Sequence, residues 1–316
     1  MSILESMLTG VKTAAVIGHI HPDGDCVGSC LAVYNYLENI HPEIEVVVYL
    51  EEIPSKFNYL KNFEKICHDF TQNRQFDLCI CLDSSDKLRF GEAVNYLDNA
   101  KTSICIDHHV TNLEFAQENV VEPQASSTCE VLYGLLKEEG ITKEVAECIY
   151  TGIVHDTGVF KYDCTSARTM EIAGKMMAKG IDFPNIIDNS FYRKTFVQNQ
   201  VLGKALMGST TILDGTCIYS VISKKDMDFY GITSADTDGI VDQLRITEGV
   251  ECAIFIYETE TDVYKVSLRS TKGLDVSRIA VHFGGGGHIK AAGCTISGNI
   301  QDVISNLSDQ LVKQMN

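Results

Sequence analysis

The sequence predicts an α/β protein of two domains, and three observations support this prediction. The chain has 316 residues, about twice the length of a typical single domain. Its first 110 residues alternate short apolar segments with longer amphipathic ones, which is typical of a parallel sheet covered by helices. A second set of apolar segments begins after the polar stretch 191–200. We therefore expect a parallel sheet flanked by helices, followed by a smaller α/β domain.

The composition is that of a folded, acidic protein. Hydrophobic residues make up 45% of the chain and charged residues 22%, which is enough apolar material for two cores. Asp and Glu number 43 against 26 Lys and Arg, so the formal net charge is -17. An anionic surface repels long phosphate backbones and anionic membranes. The composition therefore argues against a protein that binds long nucleic acids or a membrane.

The sequence also indicates a cytoplasmic location. The N-terminal segment lacks the basic start of a signal peptide, and no segment approaches 18 consecutive apolar residues. The 12 cysteines lie in apolar segments without any CxxC pair, which argues against a zinc ribbon or a thioredoxin-like site. We expect buried free thiols in a reducing compartment.

Each predicted element follows from its apolar pattern. Four segments have the length and β-branched content of buried strands: 13–20, 45–50, 76–83 and 102–107. Between the first two, the apolar spacing predicts a helix over 26–40. Residues 126–190 show mostly helical patterns. In the second domain, strands are predicted at 216–222, 251–258 and 263–270, followed by a loop that contains Gly284–Gly287.

Acidic and imidazole side chains follow the predicted strands of the N-terminal domain. The sequence HIHPDGD at 19–25 comes directly after the first strand. Asp83 ends the third strand, Asp107-His108-His109 ends the fourth, and Asp156 follows a helical segment. An Asp-Gly turn with incidental polar groups would explain the first segment alone. It does not explain four separate Asp/His clusters, which indicate a ligand site.

The carboxyl ends of parallel strands meet at one edge of a sheet, so we expect these side chains to converge there. Six of them are candidate metal ligands: His19, Asp23, Asp25, Asp83, His108 and Asp156. Six nitrogen and oxygen donors are too many for one open catalytic ion. They predict two ions bridged by a shared carboxylate, manganese in the first place, with iron or magnesium as alternatives. Two ions about 3.5–4 Å apart commonly serve phosphoester hydrolysis.

The C-terminal domain carries a candidate anion site. The glycine run 284–287, followed by His288, would let backbone N–H groups approach a phosphate or a carboxylate. Arg269, at the end of a predicted strand, would add positive charge. A flexible loop and a surface arginine would give the same pattern, so both alternatives stay open.

Together these residues resemble the motifs of the DHH phosphoesterases. HIHPDGDCVGS, LDSSD, Asp107-His108-His109 and HDTGVF look like the four motifs of that family, and GGGGHIKAAG is similar to the glycine-rich signature of the DHH-associated C-terminal domain. The match covers nearly the whole chain in the expected order. It implies a DHH catalytic domain over 1–190, a linker over 191–204 and a DHH-associated substrate-binding domain over 205–316.

The resemblance implies a role for each site residue. One ion would be bound by His19 and Asp23, the other by Asp25, His108 and Asp156, with Asp83 bridging both. His109 would contact the scissile phosphate or act near the leaving group, and Asp107 would orient the imidazoles. The remote part of the substrate would be held by Arg269, Gly285, Gly286, Gly287 and His288. His155 could be a spare ligand, but a peripheral role is favoured.

Within the family, the compact two-domain form resembles the nanoRNase/pAp-phosphatase group. It implies a Mn²⁺-dependent phosphoesterase that hydrolyses short oligoribonucleotides and 3′-phosphoadenosine 5′-phosphate (pAp) with two metal ions. The same metal site would equally serve a cyclic di-AMP or linear pApA phosphodiesterase. The glycine signature argues against an inorganic pyrophosphatase, and the intact ligand set argues against a nucleotide sensor. A homodimer is a further expectation from the family.

Overall fold

The computed structural model describes residues 2–271 and 273–315. The chain divides into two compact units, Met1–Arg193 and Lys194–Asn316. Residues 191–204, predicted as a linker, include most of a helix whose Val201 and Ala205 are buried in the core of the second unit. Among the described residues, no helix combines the length and the apolar character needed to span a membrane.

The N-terminal unit contains a parallel sheet, as the alternating pattern predicts. In chain order its strands are β1 (Thr13–Ile17), β2 (Glu45–Tyr49), β3 (Leu78–Leu82), β4 (Thr102–Asp107) and β5 (Glu118–Val121). Within the described ranges the strand order is β2-β1-β3-β4-β5, and each neighbouring pair runs parallel. The four predicted strands are therefore confirmed. The short edge strand β5 was not predicted, because its side chains are half-buried or exposed and give no continuous apolar run.

Helices cover the sheet on both faces. They are α1 (Ile3–Met7), α2 (Gly24–Ile40), α3 (Val94–Asn99), α4 (Thr128–Tyr133), α5 (Lys143–Asp156), α6 (Ala167–Ala178) and α7 (Phe183–Ile187). Alternate residues of the central strands point to opposite faces. Leu78 and Ile80 pack with the core formed by α2, α4 and α5, while Cys79 and Cys81 pack with Tyr96 of α3. Burial on both faces explains why β3 is apolar throughout.

The second unit is built on a mixed sheet with the order β10-β11-β9-β8-β7-β6 among the described residues. Its elements are α8 (Phe196–Met207), β6 (Thr210–Ile212), β7 (Cys217–Ile222), α9 (Lys224–Tyr230), α10 (Ile240–Arg245), β8 (Cys252–Glu260), β9 (Val263–Ser270), α11 (Val276–His282), β10 (Gly286–His288), β11 (Ala291–Ser297) and α12 (Ile300–Met315). Among the described residues of this sheet, only the β7–β8 pair is parallel. Helices α11 and α12 pack on one face, and α8 and α10 cover β7 and β8 on the other. The predicted α/β class is confirmed in both units.

The glycine run differs from the predicted loop. Gly286–His288 forms β10, which pairs antiparallel with β11. A Cβ atom at Gly285 would lie 2.2 Å from the Gly293 carbonyl oxygen, and one at Gly287 would lie 2.5 Å from the Ala291 carbonyl oxygen. These two positions need glycine because the strands of the hairpin approach closely. A run of small residues looks the same in the sequence whether it forms a loop or a tight hairpin.

Candidate metal centre

The carboxyl edge of the N-terminal sheet brings the predicted ligands together. His19 and Asp23 follow β1, Asp83 follows β3, His108 follows β4, and Asp156 is the last residue of α5. Among the described residues, three sets of side chains have donor atoms close enough to share an ion: His19–Cys26–Asp83, Asp83–His108–His109 and Asp25–His108–Asp156. The convergence expected from parallel strands is therefore present in the structure.

His19 lies at the first of these groups. Its Nδ1 is 2.8 Å from the carbonyl oxygen of Ile20. Because a carbonyl oxygen only accepts, Nδ1 carries the proton, and Nε2 is left to face the acidic side chains. That Nε2 is 3.5 Å from Asp83 Oδ2 and 3.8 Å from Asp23 Oδ1. The hydrogen bond to Ile20 thus orients the imidazole as a metal ligand requires.

His108 lies at the second group, between two carboxylates. Its Nε2 is 3.1 Å from Asp156 Oδ2 and 3.8 Å from Asp83 Oδ1. The fully buried Asp25 of α2 is the third member of this group, beside His108 and Asp156. Three donors from α2, α5 and the end of β4 therefore face one point.

Asp83 is a member of the first group and also faces His108 of the second. Its Oδ2 faces His19 and its Oδ1 faces His108. The residue has φ of +58°, a left-handed conformation that is uncommon for a residue with a side chain and often marks a functional position. Its buried carboxylate therefore lies between His19 and His108.

The second histidine of the triplet is oriented by a buried carboxylate. His109 Nδ1 donates to Asp107 Oδ1 over 2.7 Å, and Asn112 Nδ2 donates to Asp107 Oδ2 over 2.7 Å. Burial alone would raise the pKa of Asp107, but these two hydrogen bonds lower it. Asn112 also donates to the Ser84 carbonyl oxygen over 3.0 Å. It therefore ties the loop after β3 to the loop after β4, a role that the sequence did not indicate.

The electrostatics of these clustered side chains favour a bound cation. Burial and the neighbouring carboxylates of Asp83 and Asp156 raise the pKa of Asp25 well above its ordinary value. Burial also raises the pKa of Asp156, to about 6, against the opposing hydrogen bond from His108. Although burial lowers the pKa of His108, its bond to Asp156 and the other acidic groups raise it to about 10. Carboxylates this crowded are relieved by a proton or a cation, and the oxygen and imidazole donors suit divalent ions.

Thr128 is a site residue that the sequence analysis missed. Its backbone N–H donates to Asp25 Oδ2 over 2.6 Å, and its hydroxyl donates to Asp83 Oδ1 over 3.0 Å. The Cys129 N–H donates to the other Asp25 oxygen over 3.0 Å. The start of α4 therefore positions Asp83 of the first donor group and Asp25 of the second. The contact joins residues more than 100 positions apart in the chain, so no local pattern could reveal it.

Two histidines of the sequence motifs, His155 and His21, lie outside the three donor groups found among the described residues. The His155 ring packs against Phe57 and Phe191, with centroid distances of 5.1 and 5.7 Å, and burial lowers its pKa to about 4. The His155 side chain also occupies the space that a Cβ atom at position 24 would need, so this position requires glycine. His21 is 90% exposed and pairs with Glu51. These positions agree with leaving both residues out of the ligand set.

In the second unit, the predicted substrate residues lie on β9 and on the β10–β11 hairpin. Arg269 Nη1 donates to the Leu268 carbonyl oxygen over 3.1 Å, and its Nε is 3.6 Å from Asp242 Oδ1. The Gly284 and Gly285 N–H groups donate to carbonyl oxygens of α11, over 3.0 and 2.8 Å. These two amides close the end of α11 and are not available to an anion. The anion cradle expected from four glycine amides therefore lacks the amides of Gly284 and Gly285, and Gly286, Gly287 and His288 lie exposed on β10.

Comparison with known proteins places this geometry in a family. Residues 13–153 match the model described as DHH family, N-terminal domain, and residues 214–314 match the DHHA1 domain. The bifunctional oligoribonuclease and PAP phosphatase NrnA of Thermus thermophilus is 28% identical over 94% of this chain and 89% of its own length. The protein of the same name from Bacillus subtilis is 28% identical over 88% of this chain and 87% of its own length.

A solved structure shows the same fold. The exopolyphosphatase-related protein from Bacteroides fragilis is 25% identical and superposes with a TM-score of 0.89, covering 98% of this chain and 94% of its own. The segments that match the two family models contain five of the six predicted ligands and the whole glycine run. The sixth ligand, Asp156, lies three residues beyond the first of these segments. The chain therefore belongs to the DHH family of phosphoesterases, with a DHH domain followed by a DHHA1 domain.

Proposed function

We propose that this chain hydrolyses short oligoribonucleotides and pAp with two bound divalent cations, Mn²⁺ in the first place. The names of the Thermus and Bacillus relatives support this substrate class, since both are bifunctional oligoribonucleases and PAP phosphatases. The formal charge of -17 also disfavours long nucleic acids. A cytoplasmic location and a homodimer stay predictions from the sequence.

The position of Asp83 is the observation that carries the proposal. One oxygen faces His19 in the first donor group and the other faces His108 in the second. We assign one cation to His19, Asp23 and Asp83, and the other to Asp25, Asp83, His108 and Asp156. Two such ions would activate water and neutralise charge on the attacked phosphate.

His109 and Asp107 would act on the substrate beside the cations. The hydrogen bond to Asp107 raises the pKa of His109 against the effect of burial. This bond also leaves Nε2 of His109 as the nitrogen that faces away from Asp107. We assign His109 the role of donating a proton or a hydrogen bond to a phosphate oxygen or the leaving group. Asp107 keeps the imidazole in the orientation and tautomer that this role requires.

The DHHA1 domain would bind the part of the substrate remote from the cations. Arg269 offers a planar guanidinium for a phosphate, and Gly286, Gly287 and His288 lie on the exposed strand β10. Gly285 contributes through the close packing of the hairpin, because its N–H is already bonded within the domain. Asp242, which lies 3.6 Å from Arg269, would have to share the guanidinium with the substrate.

A hydrolysis panel in the presence of Mn²⁺ tests the proposed function. The substrates are pAp, pApA, a five-nucleotide RNA, cyclic di-AMP and pyrophosphate, measured side by side. The proposal predicts turnover of pAp and the short RNAs, with cyclic di-AMP untouched. Preference for cyclic di-AMP or pApA would favour the dinucleotide phosphodiesterase, and inactivity on all five with metal bound would overturn the proposal.

A substitution in the DHHA1 domain tests its assigned role. Arg269→Ala should raise KM for pAp about 10-fold or more, because hydrogen bonds to a charged group contribute about 1.5–3 kcal/mol. The kcat and the bound metal should change little, since the interaction is shared by the ground and transition states. Arg245→Ala is the matched control, because Arg245 pairs with the same Asp242 but has no assigned substrate role. Loss of metal in Arg269→Ala would show that the residue is misassigned.

A further inference from the structure

Cys26 lies directly beside the first donor group. It is the third residue of α2 and is fully buried. Its N–H donates to Asp23 Oδ1 over 3.1 Å, so the cap of α2 fixes its backbone. A Cβ atom at Gly18 would lie 2.3 Å from Cys26 Sγ. The absence of a side chain at position 18 therefore makes room for the sulfur next to His19.

The distances allow this sulfur to reach a cation held by His19 and Asp83. The Cys26 Sγ, one nitrogen of His19 and one carboxylate oxygen of Asp83 all lie within 4.8 Å of one another. Zn²⁺ binds sulfur at about 2.3 Å and nitrogen or oxygen at about 2.0–2.2 Å, so two ligands of one ion are at most about 4.5 Å apart. Small side-chain rotations would bring all three atoms onto one ion. The competing contact from Cys26 Sγ to the His19 carbonyl oxygen is long, at 4.0 Å.

A sulfur donor changes which cation the group prefers. Carboxylate oxygens and water suit Mg²⁺ and Mn²⁺, whereas thiolates select softer ions such as Zn²⁺. The second donor group, Asp25–His108–Asp156, contains no cysteine. The two groups therefore differ in chemistry although they share the same edge of the sheet.

We propose that Cys26 supplies a sulfur ligand to the cation bound by His19 and Asp83, which gives this position a preference for thiophilic divalent cations over Mg²⁺. The proposal rests on the proposed function only in placing a cation at these two residues. The identity of the hydrolysed substrate does not enter it.

Another cysteine of the same helix provides a matched control. Cys30 lies four residues further along α2 and is equally buried, but it belongs to none of the three donor groups found among the described residues. The exposed Cys164 would bind metal nonspecifically. All variants are therefore made in the full chain with Cys164→Ser, and this background protein is the reference.

The test is a titration of the reduced, metal-free protein with Cd²⁺, followed by ultraviolet thiolate-to-metal charge transfer. The reference protein and Cys30→Ala should show the band at one equivalent of Cd²⁺, and Cys26→Ala should not. Cys26→Ala should also weaken Cd²⁺ binding at least about 10-fold, with a smaller effect on Mn²⁺, since it removes the sulfur ligand. An unchanged band or unchanged Cd²⁺ affinity in Cys26→Ala would overturn the proposal.

A measurement on the reference protein covers the case in which Cys26→Ala does not fold. X-ray absorption at the zinc edge, with one equivalent of Zn²⁺, should show a Zn–S distance of about 2.3 Å. A spectrum with nitrogen and oxygen neighbours alone would contradict the proposal. Mn²⁺-dependent pAp hydrolysis is measured in parallel on the reference protein. Absence of pAp hydrolysis would contradict the proposed function. The spectra alone decide whether Cys26 is a metal ligand.

Discussion

Aspartates lie at both edges of the N-terminal sheet, in opposite surroundings. At the amino edge, Asp77 accepts a hydrogen bond from Lys101 Nζ over 2.6 Å and bonds from the Lys12 and Thr13 N–H groups over 2.9 and 3.1 Å. The bonds from Lys101 and Lys12 lower its pKa. At the carboxyl edge, burial and the charges of Asp83 and Asp156 raise the pKa of Asp25.

The different surroundings give the two aspartates different roles: the charge of Asp77 stabilises the fold, whereas the charge of Asp25 serves the candidate metal site. The amino edge satisfies its carboxylate with groups of the chain, so that charge contributes to folding. The carboxyl edge gathers more negative charge than the chain compensates, which costs stability without a ligand and prepares a site for cations. Loss of an aspartate should therefore have opposite consequences at the two edges.

The largest expected effect is the loss of the shared carboxylate. Asp83→Ala should reduce phosphoester hydrolysis at least about 100-fold and lower the bound metal, because the side chain faces both donor groups. Steady-state kinetics and metal analysis after dialysis measure the two effects. Asp77→Ala, at the other edge, should keep its metal content. Full activity in Asp83→Ala would refute the two-metal assignment.

A smaller effect is expected from the residue that positions this carboxylate. Thr128→Val keeps the shape and the N–H bond to Asp25 but removes the hydroxyl bond to Asp83. We expect metal affinity to fall about 10–100-fold, the range for residues that orient metal ligands. Thr128→Ser should restore most of it. Equal Mn²⁺ affinities for the Val and Ser variants, measured by calorimetry, would show that the hydroxyl does not orient Asp83.

The smallest effects concern stability, and their sign distinguishes the two edges. The pKa of Asp156 is raised from 3.8 to about 6, so this group makes the metal-free protein lose stability as pH rises from about 4 to 6. Asp156→Asn removes this loss of stability and should therefore raise Tm at pH 7.5. The pKa of Asp77 is lowered, so its contribution is present above its ordinary pKa and is lost as the pH falls through the lowered value.

Asp77→Asn should accordingly lower Tm at pH 7.5. Thermal unfolding of the two variants in the presence of a chelator gives the comparison directly, with the wild type measured at pH 4.5 and pH 7.5 in the same buffers. Shifts of the same sign for both variants at pH 7.5 would show that crowding of the carboxylates does not determine the stability of the carboxyl edge.

The sequence was sufficient for the fold class and for the convergence of the candidate ligands. Parallel strands such as β1 and β3 are buried on both faces, so they appear as short apolar runs, and the residue after each run falls at one edge. The sequence alone therefore predicts that His19, Asp83 and His108 lie together. The family motifs added the assignment of each ligand to an ion, which the spacing alone does not provide.

What the sequence could not predict depends on contacts between distant segments. The two bonds from Thr128 to Asp25 and Asp83 arise because the start of α4 packs beside α2 and the end of β3. The glycine run was predicted as an anion cradle, but the close approach of Gly285 to Gly293 shows a hairpin requirement. Cys26 resembles the other buried cysteines of the chain in its sequence context. Its position beside His19 and Asp83 distinguishes it.

The two-metal assignment puts two divalent cations at the carboxyl edge of the N-terminal sheet. Anomalous diffraction from crystals of the full chain soaked in MnCl₂ tests this assignment. We expect two anomalous peaks about 3.5–4 Å apart, one beside His19 and the other beside His108, with Asp83 between them. A single peak at this edge, or peaks elsewhere with none there, would contradict it.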